Sequence, residues 1–270
     1  MLNQLFNEGI ELGLAQAAVA ALLALGVMLL AREREIHLER ETVVALIRGL
    51  IQIVIVGSAI ALLLQGPQWT SVFVLLGMMG AAASIAARRA RGIRGAFSVS
   101  LAGIGLGAGT VILLMTWLGV IDSAITALIP VGSMLIANAM NTSALALDRF
   151  RAEVEAHVGQ IEAALALGAT PQATVTPYVQ AAVHASLIPR LDSISSLGIV
   201  WIPGMMAGMV LSGTDPVYAA IYQFVIMAMI FAAGGLTAVL STLLIRSKAF
   251  SEAEQLILRP VAAVSAAETS

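Results

Sequence analysis

Seven stretches of this chain are each about 20 residues or longer and almost free of charge, the length and character needed to cross the hydrocarbon core of a bilayer as a helix. They lie near residues 10–31, 43–65, 69–87, 96–120, 124–147, 194–213 and 216–245. The fourth and fifth are separated by a short turn around Asp122, and the sixth, which holds Pro203 and several glycines, is the least regular. The expected fold class is all-α: a polytopic membrane helical bundle of about seven transmembrane helices. Composition agrees, because 59% of the 270 residues are hydrophobic and only 11% charged, where a soluble domain carries roughly 25% charged residues.

The basic residues set the expected orientation. Arg32, Arg34, Arg40 and Arg48 follow the first run or open the second, and Arg88, Arg89, Arg91 and Arg94 follow the third. Arg149, Arg151 and Arg190 fall in the long segment after the fifth, and Arg246, Lys248 and Arg259 follow the seventh. All fourteen lie on one side of a seven-span arrangement, so the positive-inside rule puts the N-terminus outside and the C-terminus in the cytoplasm. The leading MLNQLFNEGIELG has no basic n-region and carries Glu8 and Glu11, so the first run is expected to stay as a membrane helix rather than be cleaved. Residues 1–258 read as a single transmembrane domain with a cytoplasmic loop at about 148–193, and 259–270 as a flexible cytoplasmic tail.

Several chemistries are excluded by residue type. There are no cysteines, hence no disulfide, thiolate metal site or cysteine nucleophile. A P-loop needs a lysine on the phosphates, and the one lysine, Lys248 in IRSKAF, has no glycine beside it. GIGLGAG (103–109) lies inside an apolar run, where glycines four apart serve close helix packing. No Ser/His/Asp set or HExxH spacing occurs, so the chain is not expected to be an enzyme and carries no cofactor of its own. RRARGIR (88–94) reads as an anchor beside anionic lipid rather than a nucleic-acid site. His37, His157 and His184 all fall in segments assigned to the cytoplasm, and read as solvated loop histidines.

The long polar segment has internal structure. Val154, Val158, Ile161 and Leu165 are spaced to form one apolar stripe on a helix. Gly168 suits the left-handed position that ends a helix, and Thr170-Pro171 reads as an N-cap followed by proline at the first helical position. The segment therefore predicts a short helix, a sharp corner and a new helix: a surface helix against the bundle, or a peg for a cytoplasmic partner. Within the spans, Asn138 and Asn141 share a helix face, and Gln52 and Gln223 are further amides that either bond another helix or line a path. Pro203 interrupts a run in which Met205, Met206 and Met209 present thioethers, residues that serve packing or a transport path. Arg48 and Asp192 are placed near cytoplasmic ends of spans.

Glu162, Ala163, Ala164 and Gly168, with Ala169 and Pro171 completing the corner, resemble the coupling-loop signature of ABC-transporter permeases. Importer permeases add an Ile-x-Leu-Pro element about a dozen residues after the glycine, whereas Leu187-Ile188-Pro189 here comes later, which separates the chain from them. IRGLIQIVIVG (47–57), IPVGSMLIANAMNTSALALDRF (129–150), EAALALGATPQAT (162–174) and WIPGMMAGMVLSGTDPVYAAIYQFVIM (201–227) together resemble the FetB-type permease family. Its bacterial members are linked to iron export and its plant relatives are half-transporters linked to aluminium tolerance. The resemblance implies the permease subunit of an ATP-driven exporter in the bacterial inner membrane, a homodimer in the lipid bilayer carrying iron or another metal. A separate cytoplasmic ABC ATPase would dock on the coupling loop and bind the ATP and Mg²⁺. An ATPase-independent secondary carrier or channel, and a scaffold that recruits a soluble partner, are the alternatives.

Overall fold

A computed structural model describes residues 9–32, 39–63, 66–89, 95–251 and 253–258. The tail expected at 259–270 lies outside the described residues, as do Arg34, His37, Arg91, Arg94 and Arg259. Among the described residues the chain is all-α, with two isolated bridges, Leu197↔Trp201 and Phe250↔Leu256, and no strand. The helices are α1 Gly9–Arg32, α2 Glu39–Leu63, α3 Thr70–Ala87, α4 Ala96–Trp117, α5 Ile125–Ala156, α6 Val158–Ala166, α7 Pro171–Ser195, α8 Gly204–Leu211 and α9 Pro216–Arg246, followed by the 3₁₀ turn Ser247–Ala249. Five of them, α1, α3, α4, α5 and α9, are long and apolar enough to cross a membrane, and α2 holds a shorter apolar stretch, Thr42–Ser58. The protein is a membrane helical bundle.

The chain divides into two compact units, residues 1–66 and 67–270. In the first, α1 meets α2, with Ala17, Ala20 and Ala21 beside Ala45 and Gly49 along a shared groove. In the second, α9 is the central strut. Small residues let its neighbours approach closely, the usual way helices associate in lipid. A Cβ on Gly107 of α4 would fall 2.7 Å from the backbone nitrogen of Thr237 on α9, and one on Gly103 would fall 3.2 Å from Ser241 Cβ. Ser241 is also bonded to Ser143 of α5 at 3.0 Å, and Gly234 abuts Thr142. Gly103 and Gly107 therefore form a packing seam, as the four-residue glycine spacing predicts. Gly105 and Gly109 do not share that seam and instead border an apolar groove beside Leu75 and Met79 of α3.

The buried side chains form two layers along this unit. One is built on α3, α4, α5 and α9, from Leu75, Ile104 and Leu135 to Ile226 and Ile230. The other lies at one end of the bundle and joins Ala96, Leu147, Phe150, Val154, Ile161, Val175, Val179 and Ile245 to Leu256 and Leu258. A hook after α9 supplies the last two, closed by Ser251 N–H donating to the Gln255 carbonyl and Ile257 N–H to that of Ala249.

Two features of the expected topology change. The run expected to span near 194–213 is not one helix. α7 ends at Ser195, and the Ser196 carbonyl accepts the N–H groups of Ile199, Val200 and Trp201 in a tight corner, with Gly198 at φ +77°. Pro203 lacks a donor and holds Ile202 out of helical conformation, so only the eight-residue α8 follows. The second change is the extent of α7: the helix expected to start at Thr170-Pro171 runs on for 25 residues to Ser195. Hydropathy hides that length, because Pro177, Pro189, His184, Arg190 and Asp192 all lie within it.

Candidate functional site

The elbow between α6 and α7 is built entirely by local rules. α5 runs past the apolar run to Ala156 and breaks at His157, at φ −118° and ψ 23°. The apolar stripe from Val154 to Leu165 is thus shared between two helices rather than carried by one. Val154 and Ile161 are buried, while Val158 and Leu165 pack partly against the same layer. His157 is not a free loop side chain: its Nδ1–H donates to the Glu153 carbonyl at 2.8 Å, and its ring stacks on Tyr178 at 4.9 Å between centroids. Arg149–Glu153 and Arg151–Glu155 pairs, at 2.8 and 2.6 Å, lie on the last turns of α5.

α6 ends as the sequence predicts. Gly168 sits at φ +88°, its N–H donates to the Leu165 carbonyl at 2.9 Å, and Ala169 N–H donates to the Ala164 carbonyl at 3.0 Å. These two bonds satisfy carbonyls that a helix end leaves unpaired. Thr170 then caps α7, its Oγ1 accepting from Ala173 N–H at 3.4 Å, and Pro171 occupies the first turn. Ile161 and Pro171 are buried beneath the elbow, whereas Glu162, Ala163, Gly168 and Ala169 are exposed and Ala164 is half-buried. The result is a stiff tip on a packed base. At its apex Leu167 is 88% exposed. The sequence pattern does not single it out, yet its position two residues past Leu165, about 200° further round the helix, turns it away from the stripe.

The path candidates do not converge. Asn138 is half-buried and its amide donates to the Met134 carbonyl of its own helix at 2.8 Å, rather than to another helix. Asn141, one turn on, instead lines an open cleft of about 280 Å³ with Arg89, Met140 and Asp148. Pro203 is buried at the start of α8. Met205 packs against the first core layer, and Met206 and Met209 are half-buried. Among the described residues nothing lies within 4 Å of a Cβ position on Gly204 or Gly208, so there they bring no helix close. Gln52 is exposed on α2. Gln223 is 1% exposed on α9, and among the described residues neither polar atom of its amide has a hydrogen-bond partner. A buried amide in that state costs about 1–3 kcal/mol. Gln223→Met, which keeps the volume and removes both polar atoms, is expected to raise the thermal unfolding midpoint in detergent. A lower midpoint would mean that the amide is bonded in the working protein, by water or by cargo.

α7 places three ionisable residues where loop residues were expected. Its Val175, Val179 and Ala182 share the end layer with Ile245, and a Cβ on Gly235 would lie 3.9 Å from Leu187 Cδ2. Ile194 and Leu197 then reach the layer that holds Tyr222 and Ile226. α7 therefore runs antiparallel to α9, and at about 1.5 Å per residue Arg190 and Asp192 come level with the middle of the 31-residue α9. Arg190 and Asp192 thus lie on a helix packed along α9 rather than in an open loop. His184 is likewise on the helix and exposed. Among the described residues no group of three or more His, Cys, Asp or Glu side chains could hold a metal ion.

Comparison with known proteins gives concordant matches. A model of the family described as "Uncharacterised protein family (UPF0014)" matches residues 14–250. The chain is 30% identical over 249 residues to Protein ALUMINUM SENSITIVE 3 of Arabidopsis thaliana, covering 90% of each. It is 30% identical over 247 residues to UPF0014 membrane protein YjkA of Bacillus subtilis, covering 91% of this chain and 97% of that one. It is 29% identical over 258 residues to the Probable iron export permease protein FetB of Escherichia coli, covering 95% and 96%. No solved structure matches.

Proposed function

The chain belongs to the UPF0014 family, and from that premise we propose that it is the membrane permease subunit of an ATP-driven exporter of the ABC type. Its cargo is iron or another metal ion, and it sits in the bacterial cytoplasmic membrane with the elbow end inside. The observation that carries this reading is the elbow itself: a nine-residue helix, capped at its end, anchored by buried Ile161 and presenting an exposed Leu167. A docked partner could push such a tip without deforming it. The E. coli relative, which carries the name Probable iron export permease protein FetB, supports the direction and the cargo. ATP and Mg²⁺ belong to the partner subunit. Two copies of the chain form the path, and the partner's closure shifts them between inward- and outward-open states by binding one better than the other. Within the elbow, Glu162 orients the helix, Gly168 permits the corner and Pro171 fixes the exit.

Gly168→Leu tests this. A side chain at φ +88° is strained by about 1–2 kcal/mol, but its Cβ meets nothing within 4 Å among the described residues, so insertion and folding are expected to survive. The expected result is a correctly inserted protein whose ATPase is no longer coupled to efflux. Unimpaired transport in this variant would remove the elbow from the mechanism.

A second reading, a secondary carrier driven by an ion gradient, draws support from His184 and Asp192 on α7, since such carriers use carboxylates and histidines at depth. Efflux that persists in ATP-depleted vesicles and collapses with the gradient would favour it.

A further inference from the structure

α7 is packed into the bundle on one side only. Val175, Val179, Ala182 and Ser186 are buried, while Gln180, His184, Leu191 and Ser195, at spacings of four, seven and four, share the opposite face, with Asp192 at its border. Among the described residues neither His184 nor Asp192 has an ion-pair or side-chain hydrogen-bond partner. Arg190 does not neutralise Asp192, because two residues on a helix lie about 200° apart around its axis. The outward side of α4 is different: Leu106, Leu113 and Trp117 are 56%, 74% and 82% exposed, the apolar surface that lipid requires. A carboxylate held level with the middle of α9 is strongly disfavoured against lipid, and ionisable side chains at that depth face water or a protein interior.

We infer that the outward face of α7 lines a water-filled translocation path and that His184 and Asp192 are successive stations for a divalent metal cation crossing it. Imidazole and carboxylate are both ligands for such ions. Eight residues separate the two by about 12 Å along the helix, so they hold the ion in turn rather than together. Binding at several weak stations lets an ion enter and still leave. This inference rests on the transport reading above but is independent of whether ATP drives it.

The chain has no cysteine, so each single-cysteine variant carries one reporter thiol. D192C, S195C and L113C would be made in the full chain and exposed, in vesicles from its host, to a charged, membrane-impermeant methanethiosulfonate. D192C and S195C are expected to react at least about tenfold faster than L113C, as thiols reached by water should. S195C keeps the test readable if D192C fails to accumulate. Millimolar Co²⁺ is expected to slow S195C labelling about threefold or more, and adding D192N is expected to abolish that protection. Labelling at the L113C rate would overturn the path, and labelling without Co²⁺ protection would overturn the cation stations. Silent labelling alongside ATP-dependent efflux would sink this inference and leave the exporter standing. Fast, Co²⁺-protected labelling indifferent to ATP and vanadate would support the inference and count against the ATP-driven reading.

Discussion

Leu167→Asp is expected to weaken binding of the partner ATPase by roughly 100-fold, equivalent to about 3 kcal/mol and within the range of interface hot spots. At 88% exposure the leucine contributes little to the fold, so the substitution should leave the thermal midpoint unchanged. What it removes is the apolar apex of the elbow, and what it adds is a charge that must be desolvated when the tip enters a groove. The measurement is the dissociation constant of the purified ATPase for wild-type and variant chains in the same detergent. The same loss of affinity accompanied by a lowered midpoint would assign Leu167 to the fold instead.

Gly107→Leu is expected to have the largest effect on the bundle. Its Cβ would fall 2.7 Å from the backbone nitrogen of Thr237 and 2.8 Å from its Cα, and backbone inside a central helix cannot yield as a side-chain tip can. α4 and α9 must move apart, breaking the seam, at a cost of about 3 kcal/mol or more. Gly105→Leu is the matched control: it lies on the same helix, two residues away, with nothing within 4 Å of its Cβ position among the described residues. Monodisperse protein recovered from membranes should fall sharply for the first and remain near wild type for the second. Equal recovery would mean that the α4–α9 seam is not the strut of the fold.

Much of this bundle is legible in the sequence because lipid permits so few solutions. Apolar runs near 69–87, 96–120 and 216–245 became α3, α4 and α9 within a few residues. The elbow was equally legible, since Gly168, Thr170 and Pro171 act through local backbone chemistry that needs no distant partner. The full length of α7 was not, and the reason is physical. Hydropathy measures the average surface of a helix, and one wall of protein plus one polar face averages to the value of a loop. Gln180, His184 and Asp192 lowered that average, so the 25-residue length of the helix that begins at Pro171 was not foreseen. The same reasoning read 194–213 as a span because its composition is apolar, although Gly198 and Pro203 break it into a corner and the short α8. Asn138 and Asn141 show a related limit: spacing puts them on one face, but only the surroundings decide that one bonds its own helix while the other lines a cleft.

The most direct test of the central claim is to purify the tagged chain in mild detergent from its native host and identify what accompanies it. The expected result is a P-loop ATPase in stoichiometric amount, retained by the wild-type chain and lost from Leu167→Asp. A clean preparation without any ATPase across several detergents, from cells in which the chain still exports metal, would contradict it.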